Sequence, residues 1–258
     1  MSEPPILVTQ SLTKEFKGFV AVNHVNLTVK RGQIHALIGP NGAGKTTCFN
    51  LLTKFLEPSS GRILFNGIDI TGDKPAQIAR RGVIRSFQIS AVYPQMTVLE
   101  NVRIGLQRQL GTSYFFWRSD ESLKHLNPKA MELLAQVDLT NWAHEKAVNL
   151  PYGRKRALEI ATTLAMDPEL MLLDEPTQGM GHEDVERVTQ LIQKVAAGRT
   201  ILMVEHNMSV IASIADTITV MQRGAVLAEG PYSEVSNNPL VMEAYMGSVH
   251  VESLGAAA

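Results

Sequence analysis

Five short stretches of the chain are apolar almost without a break: 34–38 (IHALI), 83–87 (VIRSF), 170–173 (LMLL), 200–204 (TILMV) and 217–221 (TITVM). A strand with one face in water alternates apolar and polar residues. Runs that do not alternate predict strands covered on both faces, as in a parallel α/β sheet. Between them, apolar residues recur at helical spacing near 44–55, 154–166 and 183–197. The N-terminal part reads differently. Short strands at 6–9, 25–29 and 62–65, with turn pairs at Lys17-Gly18, Arg31-Gly32 and Asn66-Gly67, have the pattern of antiparallel β structure. Residues 90–165 carry no strand signal and read as helices and loops. The pattern predicts one α/β domain over 6–246: a parallel-sheet core, an N-terminal antiparallel β subdomain and an α-helical subdomain inserted at 90–165. The segment 247–258 is small and polar and is expected to be disordered. No internal repeat is present.

Composition narrows the class without giving a function. At 258 residues and 45% hydrophobic, the chain can bury a large core. Its 24 Lys and Arg against 25 Asp and Glu leave no basic field for nucleic acid. One cysteine, Cys48, excludes an internal disulfide framework and fits a reducing compartment. Packing, not redox chemistry, is its expected role. The opening MSEPPILVTQ lacks the charged start and apolar core of a signal peptide. No run reaches the ~18 apolar residues that span a bilayer. The expectation is a cytosolic chain that meets a membrane only through a partner.

The chemistry begins where the first core strand ends. GPNGAGKTT (Gly39, Pro40, Asn41, Gly42, Ala43, Gly44, Lys45, Thr46, Thr47) follows HALI and precedes the helical pattern CFNLLTKF. It satisfies G-x-x-x-x-G-K-[ST] in the strand–loop–helix setting that this motif requires. The glycines let backbone N–H groups turn inward around phosphate oxygens, and the helix start adds partial positive charge. Lys45 is expected to reach the β- and γ-phosphates, and the Thr46 hydroxyl to ligate Mg²⁺. MLLDEP, 171–176, ends a second strand in two carboxylates. Asp174 suits the Mg²⁺ hydration shell and Glu175 the polarisation of an attacking water. VEHNM, 204–208, puts His206 after a third strand, where ligands gather in an open α/β sheet, and a γ-phosphate-sensing role follows. Gln88, after VIRSF, stands where a water-positioning side chain is needed.

A fourth segment is odd as a helix start. LPYGRKRALEIA, 150–161, crowds Arg154, Lys155 and Arg156 into the first turn. The helix dipole disfavours cations there by up to about 1 kcal/mol each. Three resolutions stay open. An anion could face the turn, Glu159 could pair with Lys155 or Arg156, or the arginines could lie in solvent.

In this order, GPNGAGKTT, Gln88, LPYGRKRALEIA, MLLDEP and VEHNM resemble the motif set of the nucleotide-binding subunit of ATP-binding cassette (ABC) transporters, over residues 6–246. The resemblance implies a P-loop NTPase with a RecA-like parallel sheet, binding ATP and Mg²⁺. It makes Phe16, which alone reads as core, the aromatic that stacks on adenine. Gln88 becomes the link from the γ-phosphate and Mg²⁺ to the membrane partner, with Thr46 and Asp174 also on the metal. Glu175 becomes the general base and His206 the switch histidine. LPYGRKRALEIA falls on the signature, usually Leu-Ser-Gly-Gly-Gln, which closes over nucleotide bound to the opposite subunit. Here Pro151 stands at the serine, Tyr152 at the first glycine, Gly153 at the second and Arg154 at the glutamine. Gly181 stands where the loop after the second carboxylate motif usually carries Asp. These departures point to a partner ATPase that is a non-identical homologue.

A finer likeness is to the larger ATPase of branched-chain amino-acid importers. It rests on RSFQ, the Tyr-Gly signature followed by RALEIA, VEHNM, and the insertion 107–127. It implies two integral-membrane permeases, an extracytoplasmic solute-binding protein, no nucleic-acid partner, and a peripheral place on the cytoplasmic face of the inner membrane. Tyr114, Phe115, Phe116 and Trp117 in the insertion read as buried in the helical subdomain or as a permease contact. The rival readings are an ABC exporter ATPase, a soluble ABC ATPase acting on ribosome or DNA, and a metabolic P-loop kinase. The ribosome or DNA reading lacks a second cassette, basic patches and heptads. The kinase reading leaves the signature and His206 segments without a use.

Overall fold

The computed structural model describes residues 3–86, 92–107 and 120–245. Gln88, the aromatic run 114–117 and the tail 247–258 lie outside them. In chain order the strands are β1 (Leu7–Phe16), β2 (Phe19–Val25), β3 (Thr28–Val29), β4 (Ile34–Ile38), β5 (Ser60–Phe65), β6 (Ile68–Asp69), β7 (Val83–Ser86), β8 (Leu170–Asp174), β9 (Thr200–Val204), β10 (Thr217–Gln222) and β11 (Ala225–Gly230). The α-helices are α1 (Lys45–Leu52), α2 (Pro75–Arg80), α3 (Val98–Gln107), α4 (Asn127–Gln136), α5 (Tyr152–Leu164), α6 (His182–Ala196), α7 (Met208–Ile214) and α8 (Tyr232–Val235).

The core sheet runs β11-β10-β4-β9-β8-β7, parallel except for β11 at its edge. Its strands alternate between two buried layers. Ile34, Ala36, Ile38, Met171, Leu173, Ile201 and Met203 face a cluster shared with α3, α4, α5 and α6. Leu37, Leu170, Leu172, Leu202 and Val204 face one shared with α1 and the N-terminal strands. Both faces are dry, which is why the sequence runs do not alternate.

The N-terminal strands form a second, antiparallel sheet in the order β2-β1-β5-β6, with β3 also on β1. Two expectations change here. The strand expected at 6–9 continues to Phe16 through register shifts near Leu12 and Lys14, which break the alternation that would have revealed it. The stretch expected as one strand at 25–29 is split, with Val25 ending β2 and Thr28–Val29 forming β3. Lys17-Gly18 and Asn66-Gly67 have positive φ at both residues, as a type I′ hairpin requires. Arg223-Gly224 does the same between β10 and β11, a hairpin the run pattern did not reveal.

Between β7 and β8 the described residues form helices and the loops joining them, with one isolated bridge, Thr97–Lys146. α5 starts two residues before the expected 154, and α1 stops at Leu52, short of 55, ahead of the left-handed Lys54. Residues 239–245 add a last helix, which buries Val241 and Ala244. Its Tyr245 packs on the core, hydrogen-bonds the Gly39 backbone, and has its phenol pushed up to about 12 by burial. Among the described residues no helix is long and apolar enough to cross a membrane.

Candidate active site

β4 enters the sheet between β10 and β9 and delivers the chain to Gly39. A Cβ at Gly39 would lie 2.1 Å from the Met221 carbonyl oxygen, and one at Gly44 (φ +99°) 2.4 Å from that of Ala21. The loop 39–44 is clamped between the backbones of β10 and β2, where only glycine fits. The α1 helix then starts with Gly44 as N-cap, no side-chain cap and no acidic residue in its first turn. Its first N–H groups are left for an anion. By contrast, α3 closes its own start, with Thr97 and Glu100 capping each other. Gly44→Ala therefore meets both backbone strain and a clash. It is expected to cost more than about 2 kcal/mol in denaturant unfolding and to abolish binding of a fluorescent ATP analogue.

Lys45 is buried and donates to the carbonyls of Gly39 (2.8 Å) and Pro40 (3.1 Å). Desolvation lowers its pKa, and the carboxylates of Glu175 and Asp174 work against that shift. The loop lysine and the two strand-end carboxylates thus share one electrostatic neighbourhood. Thr46 is exposed. Asp174 pairs with Arg85, whose other guanidinium nitrogen donates to Asn50 at 2.6 Å. Glu175 adopts a left-handed conformation (φ +47°), rare for a non-glycine residue. It keeps the ladder by donating its N–H to Val204 at 2.9 Å. Its Oε1 lies 2.8 Å from His206 Nε2. An ionised carboxylate only accepts, so the imidazole N–H donates.

The structure also shows a residue that motif reading passed over. Glu205, directly after β9, is buried and accepts hydrogen bonds from Thr177, His206 and Asn207. Its only sequence signal is an acidic residue ending an apolar strand. Phe16 stands at the end of β1. It is 41% exposed, which corrects its reading as core, and its ring lies under Lys14 at 5.1 Å. Cys48 is fully buried and its thiol is pushed up to about 12, in line with a packing role.

The three cations of α5 have separate fates. Arg154 stacks on Trp142 at 4.7 Å, and Lys155 is half-buried. Arg156 turns inward. It donates to the carbonyls of Asp174 (2.9 Å) and Pro176 (3.1 Å) and pairs with Glu159. The solvent reading is thus wrong for Arg156, and the Glu159 pair is real. The first turn still has no side-chain cap and no acidic residue, and Pro151 and Tyr152 are exposed. Tyr152 donates its hydroxyl to Gln178 (3.1 Å), and a Cβ on Gly153 would sit 2.5 Å from Asp184. Gly181 is the N-cap of α6.

Comparison with known proteins gives the same constellation a lineage. The family model described as ABC transporter matches residues 22–178, and one described as branched-chain amino acid ATP-binding cassette transporter matches 225–251. A high-affinity branched-chain amino acid transport ATP-binding protein of Pseudomonas aeruginosa is 39% identical, covering 94% of this chain and 98% of its own. One from Escherichia coli is 38% identical with the same coverage. Among solved structures, an ABC transporter cassette in its ADP conformation superposes with a TM-score of 0.83 at 31% identity, covering 95% of this chain and all of its own. A nucleotide-free cassette gives 0.80 at 30%, covering 93% and 98%. The clamped phosphate loop, the paired carboxylates and these matches agree: the chain belongs to the ABC transporter family, as its ATP-binding, ATP-hydrolysing cassette.

Proposed function

We propose that this chain hydrolyses ATP to drive import of branched-chain amino acids through partner permeases. The observation that carries the hydrolytic part is the Glu175–His206 pair, 2.8 Å apart where β8 and β9 end. Glu175 is the general base, taking the proton of the attacking water. With its N–H committed to Glu175, His206 holds that base until a γ-phosphate oxygen competes for the same proton donor. Lys45 leaves the carbonyls of Gly39 and Pro40 for the phosphates, and the N–H groups opening α1 hold their oxygens. Thr46 and Asp174 present the oxygen donors that suit Mg²⁺, with Gln88 completing the proposed set, and the ion would supply charge neutralisation on the phosphates. Asp174 must exchange Arg85 for that role. Phe16, exposed at the end of β1, is the proposed stacking surface for adenine.

The relatives' names support the cargo, and solved cassettes of the family form dimers. The proposed partners are a second, non-identical ATPase, two permeases and an extracytoplasmic solute-binding protein. The chain would then sit on the cytoplasmic face through the permeases. The uncapped start of α5, with Pro151, Tyr152, Gly153 and Arg154, faces the partner's nucleotide. The test is uptake of labelled leucine, isoleucine and valine into vesicles carrying the complex and loaded with ATP. ATP-dependent accumulation supports the cargo; hydrolysis without accumulation of any of the three overturns it. Lys45→Ala separately weakens ATP binding to the isolated subunit by about 10- to 100-fold, the worth of a charge-assisted phosphate contact. Unchanged affinity in calorimetry overturns the phosphate-loop assignment.

A further inference from the structure

Glu205 is 3% exposed, and no cation pairs with it among the described residues. A buried carboxylate without a counter-charge is costly, so its oxygens must be held by hydrogen bonds. Four donors do this. Oε1 takes the backbone N–H of Thr177 at 3.0 Å and the Thr177 hydroxyl. Oε2 takes the backbone N–H groups of His206 at 2.7 Å and Asn207 at 3.2 Å. The two oxygens therefore hold two different turns. One follows β8 and contains Glu175 and Pro176; the other follows β9 and contains His206.

The turn after β8 is held from within by the Gln178 N–H on the Glu175 carbonyl at 3.2 Å and from α5 by Arg156 on the Asp174 and Pro176 carbonyls, and neither contact reaches the turn after β9. Pro176 has no N–H to give, and Glu175 sits in a left-handed conformation that its surroundings must impose. The Glu175–His206 bond links the same two turns that Glu205 links. We propose that Glu205 is a positioning residue for hydrolysis: its carboxylate fixes the turns carrying the base and the switch histidine at one separation. It touches neither nucleotide nor water. The inference rests on the assignment of Glu175 and His206 as the hydrolytic pair.

Glu205→Gln keeps the shape but turns an amide NH₂ toward backbone donors. Thr177→Val keeps the β-branched shape and deletes only the hydroxyl donor. In the assembled ATPase–permease complex, Glu205→Gln is expected to lower kcat about tenfold or more, the effect of spoiling hydrogen bonds to a charged group. KM for ATP, and the ATP affinity of the isolated subunit, stay within about twofold, because neither residue holds phosphate. Thr177→Val lowers kcat less and adds nothing in the double variant, since both changes break one link. Should Glu205→Gln fail to fold, the kcat-only loss in Thr177→Val carries the test. Unchanged kcat in both variants overturns the proposal. So does a loss of ATP affinity and melting temperature in step with kcat, which marks a merely structural role, or full additivity in the double variant. Glu175→Gln run in parallel separates the two claims. If it retains turnover, the hydrolytic pair itself is wrong and the inference goes with it. If it is dead while Glu205→Gln is normal, only the positioning role fails.

Discussion

Glu175→Gln is expected to leave ATP binding intact while turnover of the assembled transporter falls by about 10²- to 10⁴-fold, the usual worth of a general base. The substitution is nearly isosteric. Its amide oxygen can still accept from His206 Nε2, so the 2.8 Å contact and the left-handed backbone at residue 175 are preserved. What disappears is the capacity to take a proton from water. Affinity is not expected to fall, because in the proposed site the phosphates are held by the loop 39–44, Lys45 and the start of α1. Removing a negative charge from the neighbourhood of Lys45 favours the bound polyanion, if anything. The signature of a lost base is therefore a split: unchanged dissociation constant in calorimetry, collapsed single-turnover hydrolysis. Lys45→Ala gives the opposite split, with affinity lost first. Turnover retained in Glu175→Gln moves the base elsewhere, with His206 the next group to test.

Much of this site was legible because its pieces lie at strand ends, and the strands announced themselves. Both faces of β4, β8 and β9 are buried, so each strand is an apolar run almost without a break and the residues that end it stand out. Gly39, Asp174, Glu175 and His206 are candidates on that ground. The N-terminal sheet was harder to read. Shifts in register along β1 break its period of two, and β2 leaves Phe19 and Val20 exposed, so neither shows a clean alternation. Glu205 was missed for a different reason. Its role lies in what its carboxylate accepts from Thr177, 28 residues away, and no local spacing encodes that. The cations of α5 show the same limit. Composition says three charges crowd one turn, but only tertiary packing says which one turns inward.

Arg156→Ala is expected to destabilise the fold by about 3–5 kcal/mol in denaturant unfolding. An exposed pair such as Lys129–Glu132, with both side chains 56% exposed, is worth at most about 1 kcal/mol. Arg156 and Glu159 are 6% and 1% exposed, and two further guanidinium bonds go to the Asp174 and Pro176 carbonyls. Truncation removes the Arg156 donors from a buried carboxylate and two carbonyls, and Glu159 Oε1 already has no partner among the described residues. The deficit depends on pH. Burial raises the pKa of Glu159, and Arg156 is what pulls it back. Without the arginine the folded pKa climbs further above its unfolded value. The folded state then binds a proton that the unfolded state releases. Stability of the variant is fullest below the unfolded pKa and falls as pH rises toward the folded one, so the gap from wild type widens as pH rises above the wild-type carboxyl's own raised pKa. Adding Glu159→Leu removes the stranded carboxylate. The double variant is expected to recover more than half of the loss and to show no widening over that range, while a constant deficit in Arg156→Ala would assign the cost to the two carbonyls alone.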